Sequence, residues 1–155
     1  MNPTLYQGLV HAHSIGRWIV LLLLIFAILN SLIAGNRPFI KTDNRLGLLL
    51  TISADLMLLI GIALWSFGPN GYAAIKGAGS ISALTPQQRF MAMEHTVGML
   101  IAIVLLHIGK AQAKKLIGDR AKHRRTLLFY FIALLIILIS VPWPFLANGA
   151  GRGWY

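Results

Sequence analysis

Apolar residues gather into four long stretches separated by short polar segments, and that alternation organises the whole chain. The stretches cover about Trp18–Ala34, Leu46–Phe67, Phe90–Ile108 and Leu127–Leu146. Each is close to the roughly 20 residues that cross a hydrocarbon core about 30 Å thick. The helix of the first stretch is expected to continue outward through HAHSIGR toward Leu5. The segment from Gly35 to Arg45 reads as a polar loop, with Gly35, Asn36 and Pro38 as breakers. A second loop, rich in Gly, Pro and Ser, runs from Gly68 to about Gln88, and its Thr85-Pro86-Gln87-Gln88 is a helix-start signature. The pattern therefore predicts an all-α, single-domain bundle of four transmembrane helices over residues 1–155, with up-down topology.

Composition supports lipid as the solvent. Hydrophobic residues make up 57% and charged residues 12%, about half the ~25% charged content of a soluble domain. The net charge of +10 does not point to nucleic acid, because the cations sit in short loops beside apolar spans rather than along one stripe. Arg37, Lys41 and Arg45 occupy the first loop, and Lys110, Lys114, Lys115, Arg120, Lys122, Arg124 and Arg125 the third. The second loop holds Lys76 and Arg89, and the C-terminal tail Arg152. By the positive-inside rule the two basic loops are expected in the cytoplasm and both termini outside. Trp65, Trp143, Trp154 and Tyr155 would then form an outer interfacial belt with Trp18. The first apolar run is too long for a cleavable signal peptide. The basic third loop suits anionic headgroups, each cation near the surface being worth about 1 kcal/mol.

The chain has no cysteine. That excludes disulfides, iron–sulfur clusters, thioether-attached haem and thiolate metal sites. Candidate chemistry is left to a few polar residues in or beside the spans: His11, His13, Arg17, Asp55, Glu94, His95 and His107. The topology brings His11 and His13 on the first helix to the same depth as Glu94 and His95 on the third. Two imidazoles from facing helices can hold a b-type haem without cysteine. The expected pair is His13 with His95, since His13 lies deeper than His11 and two residues turn a helix by about 200°. Interfacial histidines satisfied by water and headgroups remain the plain alternative. A copper(I) site using the Met91 thioether and His95 imidazole of MAMEH is a second metal reading.

Arg17 follows His13 by one turn and is read as a partner of a haem propionate, a partner of Glu94, or a snorkelling headgroup contact. Asp55 falls near mid-membrane, where an ionised carboxylate costs several kcal/mol unless paired, so it is expected to face the bundle interior. Its roles there would be proton relay, quinone contact, partner of a histidine, or a protonated acid bonded to a neighbour. His107 lies about 18 Å along the axis from His95, close to Lys110, and with Glu94 and Asp55 it is a proton or quinone candidate. His123, within the basic loop, is expected to meet lipid or solvent.

LVHAHSIGRW at 9–18, RPFIKTDNRL at 37–46, MEH at 93–95, and KHRRTLLFYFIALLIILISVPWPF at 122–145 with the terminal GRGWY resemble a group of small four-span membrane proteins. These belong to Bacteroidota-type bacteria and are labelled cytochrome b-like. The resemblance covers nearly the whole chain and carries over His13, Arg17, Trp18 and His95. Asp55 departs from it, because relatives often have His at that position. It implies haem b, a multi-pass protein of the bacterial inner membrane with both termini periplasmic, and electron transport in a respiratory chain. With little mass outside the bilayer, the chain is expected to be an electron carrier or complex subunit rather than a stand-alone enzyme. It would partner other membrane subunits, a second copy of itself, or quinone. A cofactor-free accessory subunit is the competing expectation, and a small copper-binding or proton-pathway membrane protein the third.

Overall fold

The computed structural model describes residues 2–115 and 117–146. Arg152, Trp154, Tyr155 and the terminal GRGWY lie outside the described residues. Among the described residues every regular element is helical.

Helix α1 spans Pro3–Ile33. Asn2 caps it by accepting the Thr4 N–H at 2.9 Å, and Pro3 takes a first-turn position where its missing N–H is not needed. Beyond α1 the chain reverses at Gly35, whose φ of +57° is a left-handed conformation suited to glycine. Helix α2 spans Lys41–Phe67. Its first turn is anchored by Asp43, which accepts the Ile40 N–H at 2.8 Å. A short helix α3, Tyr72–Ala78, and a 3-10 turn, Ile81–Ala83, fill the second loop. Helix α4, Pro86–Arg89, starts where the sequence signature placed it. Thr85 Oγ1 accepts the Gln88 N–H at 3.3 Å while Gln88 Oε1 accepts the Thr85 N–H at 3.1 Å.

One wide π turn, Phe90–Glu94, joins α4 to helix α5, His95–Ala111. A 3-10 turn, Gln112–Lys114, follows, and helix α6 spans Asp119–Ser140. Helix α6 starts well before its apolar run. It stops at Ser140 rather than continuing to Leu146, because Val141 is extended and Pro142 follows it.

The four long helices are each apolar enough to cross a membrane, and 33% or less of each apolar window is buried inside the protein. The remaining Leu, Ile and Phe faces therefore require lipid. The helices pack in a ring: α1 against α2 and α6, and α5 against α2 and α6, so α1 and α5 lie diagonally across the bundle. One end of the bundle carries both basic loops, and the other carries the start of α1 and the end of α6.

Small residues set the closest seams, as expected where lipid removes the hydrophobic drive between helices. A Cβ at Gly109 would stand 2.7 Å from Tyr130 Cδ1, and one at Gly47 would stand 2.9 Å from the Tyr130 hydroxyl. Tyr130 is thereby wedged among α2, α5 and α6. Leu24, Leu50, Leu106 and Ala133 complete this tightly filled half of the bundle.

The basic end is tied by one network. Arg37 grips Asp43 with both guanidinium nitrogens, Nη1 to Oδ2 at 2.8 Å and Nη2 to Oδ1 at 2.6 Å. Asn30 at the end of α1 donates to Asp43 Oδ1 at 2.6 Å and accepts from Arg37 Nη2 at 3.0 Å. The hydrogen bond to Asp43 holds the Arg37 guanidinium above its ordinary pKa. Beside this network the structure corrects an expectation. His123 does not face lipid or solvent: it is only 2% exposed, with its ring 4.9 Å from that of Phe39. Because α6 already begins at Asp119, His123 sits on its inward face.

Candidate functional site

The half of the bundle away from the basic loops holds a cavity of about 790 Å³, lined by α1, α2, α5, the end of α6 and the second loop. That lies within the roughly 300–1,000 Å³ range of small-molecule and cofactor sites. Its lining is mostly apolar. Tyr6, Gln7, His11, Asn70 and Gln87 lie on its wall at the end bearing the N-terminus.

Helix α1 supplies His13 and helix α5 supplies His95, and the structure brings them together across the diagonal. Their ring centroids are 6.2 Å apart with planes at 71°. Two imidazole nitrogens on opposite sides of one metal stand about 4 Å apart at metal–nitrogen lengths of roughly 2 Å. Adding the distance from nitrogen to ring centre on each side gives about 6 Å between centroids. The observed spacing is of that order, and it is equally the spacing of a T-shaped contact between the two rings themselves.

The protonation pattern also fits. His95 Nδ1 lies 2.8 Å from the Ser140 carbonyl, and since a carbonyl only accepts, Nδ1 carries the hydrogen and Nε2 keeps its lone pair. A backbone oxygen orienting an imidazole in this way is a usual support for metal ligation. His13 is half-buried, and its Nδ1 is enclosed with no hydrogen-bond partner among the described residues. A buried imidazole nitrogen in that state is costly unless something in the cavity engages the ring. Gly61 on α2 makes room for the ring: a Cβ there would stand 3.4 Å from His13 Cε1. Gly16 on α1 similarly accommodates Met57, whose sulfur would collide with any Cβ at that position.

The π turn immediately precedes His95 and opens α5 toward α2. Ala92 within it accepts the Trp65 indole N–H at 3.0 Å, and the Met91 carbonyl accepts from Thr96 Oγ1 at 3.1 Å. Single π turns recur at functional sites because they re-aim side chains without breaking the helix. Here the wide turn sets the rotation of His95, and the indole of Trp65 fixes the turn. Met91 lines the cavity with His95. Among the described residues no group of three or more His, Asp or Glu gathers around a common point.

Arg17 lines the same cavity one turn from His13. Its guanidinium carbon lies 5.2 Å from the Trp18 ring and 5.6 Å from the Trp143 ring. These two indoles are 6.0 Å apart and hold the cation at the cavity wall. Glu94 pairs with Arg89 at 2.9 Å on an exposed surface. Trp65, Trp18 and Trp143 all sit at the end of the bundle away from the basic loops, with Trp65 6.2 Å from Tyr72.

Asp55 is the second correction. It does not face the bundle interior. Its carboxylate meets His107 Nε2 at 2.8 Å, and both side chains are about half exposed, 47% and 49%, on the outer side of the α2–α5 seam. Side chains lean toward their own helix N-terminus, so in antiparallel neighbours Asp55 and His107 lean toward each other. The two residues satisfy one another while facing hydrocarbon.

Sequence reasoning missed Met57, Gly61, Trp65 and Ser140 as parts of the site. A glycine in the middle of an apolar span is the one local signal that marked any of them. Comparison with family models, with curated proteins and with solved structures gave no match.

Proposed function

We propose that this protein is a membrane electron-transfer protein or redox subunit carrying one b-type haem between α1 and α5. The observation that carries the reading is the juxtaposition of His13 and His95, 6.2 Å apart on the wall of a mostly apolar cavity. His13 and His95 would hold the iron, with Arg17 at the wall to neutralise a carboxylate of the macrocycle. His11 and the other polar groups on the wall near the N-terminal end would meet its exposed edge. Bound in such a site, haem supplies reversible one-electron transfer between ferric and ferrous iron. The protein's own part is to hold two neutral imidazoles rigidly, to exclude water and to set the local charge. The cytochrome b-like resemblance of the sequence points the same way, and in the orientation expected from the basic loops the cavity would lie on the periplasmic side of a bacterial inner membrane. Electrons would pass to or from quinol or a neighbouring redox subunit.

The test is a reduced-minus-oxidised visible spectrum of purified protein, with a pyridine haemochrome assay, after expression with haem available. Sharp reduced bands near ~560 nm at about one haem per chain are expected, lost in both His13→Ala and His95→Ala. Folded wild-type protein without a haemochrome would overturn the reading in favour of a cofactor-free accessory subunit. Metal by elemental analysis that disappears in Met91→Leu would instead support copper.

A further inference from the structure

The α2–α5 seam is the loosest of the four around the bundle. Ile62 on α2 and Leu100 on α5 are 51% and 45% exposed toward lipid, yet both also line the cavity. A side chain that belongs to both surfaces marks an opening between them. At the end of this seam nearer the basic loops stands the Asp55–His107 pair. Ala54 and Leu106, the residues adjacent to them in sequence, form the cavity floor and are 2% and 0% exposed. The pair itself lies outside the cavity lining, on the lipid-facing side of the seam about two helical turns from the Ile62–Leu100 opening.

We infer that the lipid-facing side of this seam is a lateral binding site for a lipid-soluble quinol, a dihydroxylated aromatic ring on an apolar tail, with Asp55 and His107 as its hydrogen-bonding end. The apolar lips at Ile62 and Leu100 suit a ring and tail arriving from hydrocarbon. The polar pair suits the ring's hydroxyl. With Nε2–H of His107 donating to Asp55 Oδ1, Nδ1 of His107 and the second Asp55 oxygen are acceptors. Neither makes another hydrogen bond among the described residues, and a phenolic O–H is the complementary donor. Ionisable groups facing a membrane are costly and mark ligand or proton routes, and a hydroxyl delivered from lipid would give both acceptors a partner. The inference takes its purpose from the redox reading above, but ligand access and hydrogen bonding do not depend on haem.

The experiment uses full-length protein in quinone-free lipid nanodiscs and the stable quinol mimic heptyl-hydroxyquinoline N-oxide. The probe is read by quenching of tryptophan emission, Trp65 being on the cavity wall. Saturable quenching is expected, weakened about tenfold or more in Asp55→Leu and in His107→Leu by loss of a charge-assisted acceptor. Both variants should fold, because leucine suits a lipid-facing position. A wild-type protein that binds the mimic but yields no haemochrome separates failure of the haem reading from failure of this one. Three outcomes overturn the inference. One is non-saturable quenching that matches lipid partition. Another is equal affinity in wild type and both leucine variants. The third is a dimer that dissociates in those variants while quenching is unchanged, which would assign the pair to contact with a second copy.

Discussion

Gly98 tests whether the α5–α6 seam is what fixes His95. A Cβ at this position would collide with Ser140 Oγ and stand 2.9 Å from Ser140 Cβ. Two effects of opposite sign compete in Gly98→Ala. Replacing glycine by alanine within a helix favours folding by about 1 kcal/mol. Overpacking a close helix contact typically costs about 1–3 kcal/mol. The obstructing atoms include the Cβ of a helical residue, which cannot rotate away, so the cost should exceed the gain and the variant should be destabilised by about 1–2 kcal/mol. Gly8→Ala is the control, because nothing lies within 4 Å of its Cβ and only the propensity gain applies. Ser140→Ala removes the hydroxyl but leaves the 2.9 Å contact, so it should relieve Gly98→Ala partly, whereas Ser140→Gly should relieve it fully. Equilibrium unfolding in SDS–detergent mixed micelles measures all of these, and the Gly98/Ser140 double-mutant cycle isolates the coupling. Because the Ser140 carbonyl orients His95 at 2.8 Å, Gly98→Ala should also lower haem content while Gly8→Ala does not. Equal stability of Gly98→Ala and Gly8→Ala, or no coupling in the cycle, would refute the packing argument.

Three further outcomes follow from individual contacts. Asp43→Ala leaves Arg37, Asn30 and the Ile40 N–H without their shared acceptor; Asp43 is buried but Arg37 reaches solvent, so the loss should cost about 1–3 kcal/mol, again read by SDS unfolding, and an effect below the noise would show the network to be ornamental. Trp65→Phe removes the indole bond to Ala92 and should cost about 1 kcal/mol, with a downfield or upfield change in His95 imidazole NMR resonances if the π turn relaxes; unchanged resonances would separate Trp65 from the setting of His95. His123→Leu exchanges a buried imidazole with no hydrogen-bond partner among the described residues for a hydrocarbon side chain, so stability should be unchanged or raised by up to about 2 kcal/mol, and clear destabilisation would reveal a partner for that ring.

The helices were legible because a membrane span is specified by its own length and apolarity, without reference to neighbours. The Thr85–Gln88 start was legible for the same local reason. The meeting of His13 and His95 followed from counting helix directions, which fixes depth. Rotation about each helix axis is a different quantity, set by contacts such as Gly98 with Ser140 and by the π turn, and no local pattern announces it. This is why Gly61, Met57 and the Ser140 carbonyl were invisible as site components. The two corrected residues show where depth rules mislead. An acid in a membrane span needs a partner rather than the bundle interior as such, and His107 on the next helix serves Asp55 at the lipid face. His123 was read from the charge of its surroundings. Lys122 and Arg124 flank it in sequence, yet one step along a helix turns a side chain by about 100°, enough to bury an imidazole between two cations.

The four seams explain why the cavity lies where it does. A chain of this size can leave a cofactor-sized space only if some helix pairs close tightly while others stay apart. Helices α5 and α6 close on Gly98 and Gly109, and α1 and α2 close on Gly16. The diagonal between α1 and α5 and the seam between α2 and α5 remain open. Closure on one side of α5 supplies the fixed carbonyl that a ligating His95 requires. Openness on its other side supplies the lipid-facing site at Asp55 and His107. Helix α5 therefore separates two demands that conflict in a single rigid wall, an immobile imidazole and an accessible ring site. Filling the open seam and loosening the closed one should have distinct signatures: Val104→Trp, on the lipid-facing side of α5 one turn from His107 and outside the cavity lining, should block the quinol mimic and spare haem, and Gly98→Leu should lose haem first. If either substitution abolished both properties together in folded protein, the two sites would be one, and the division of labour across α5 would be wrong.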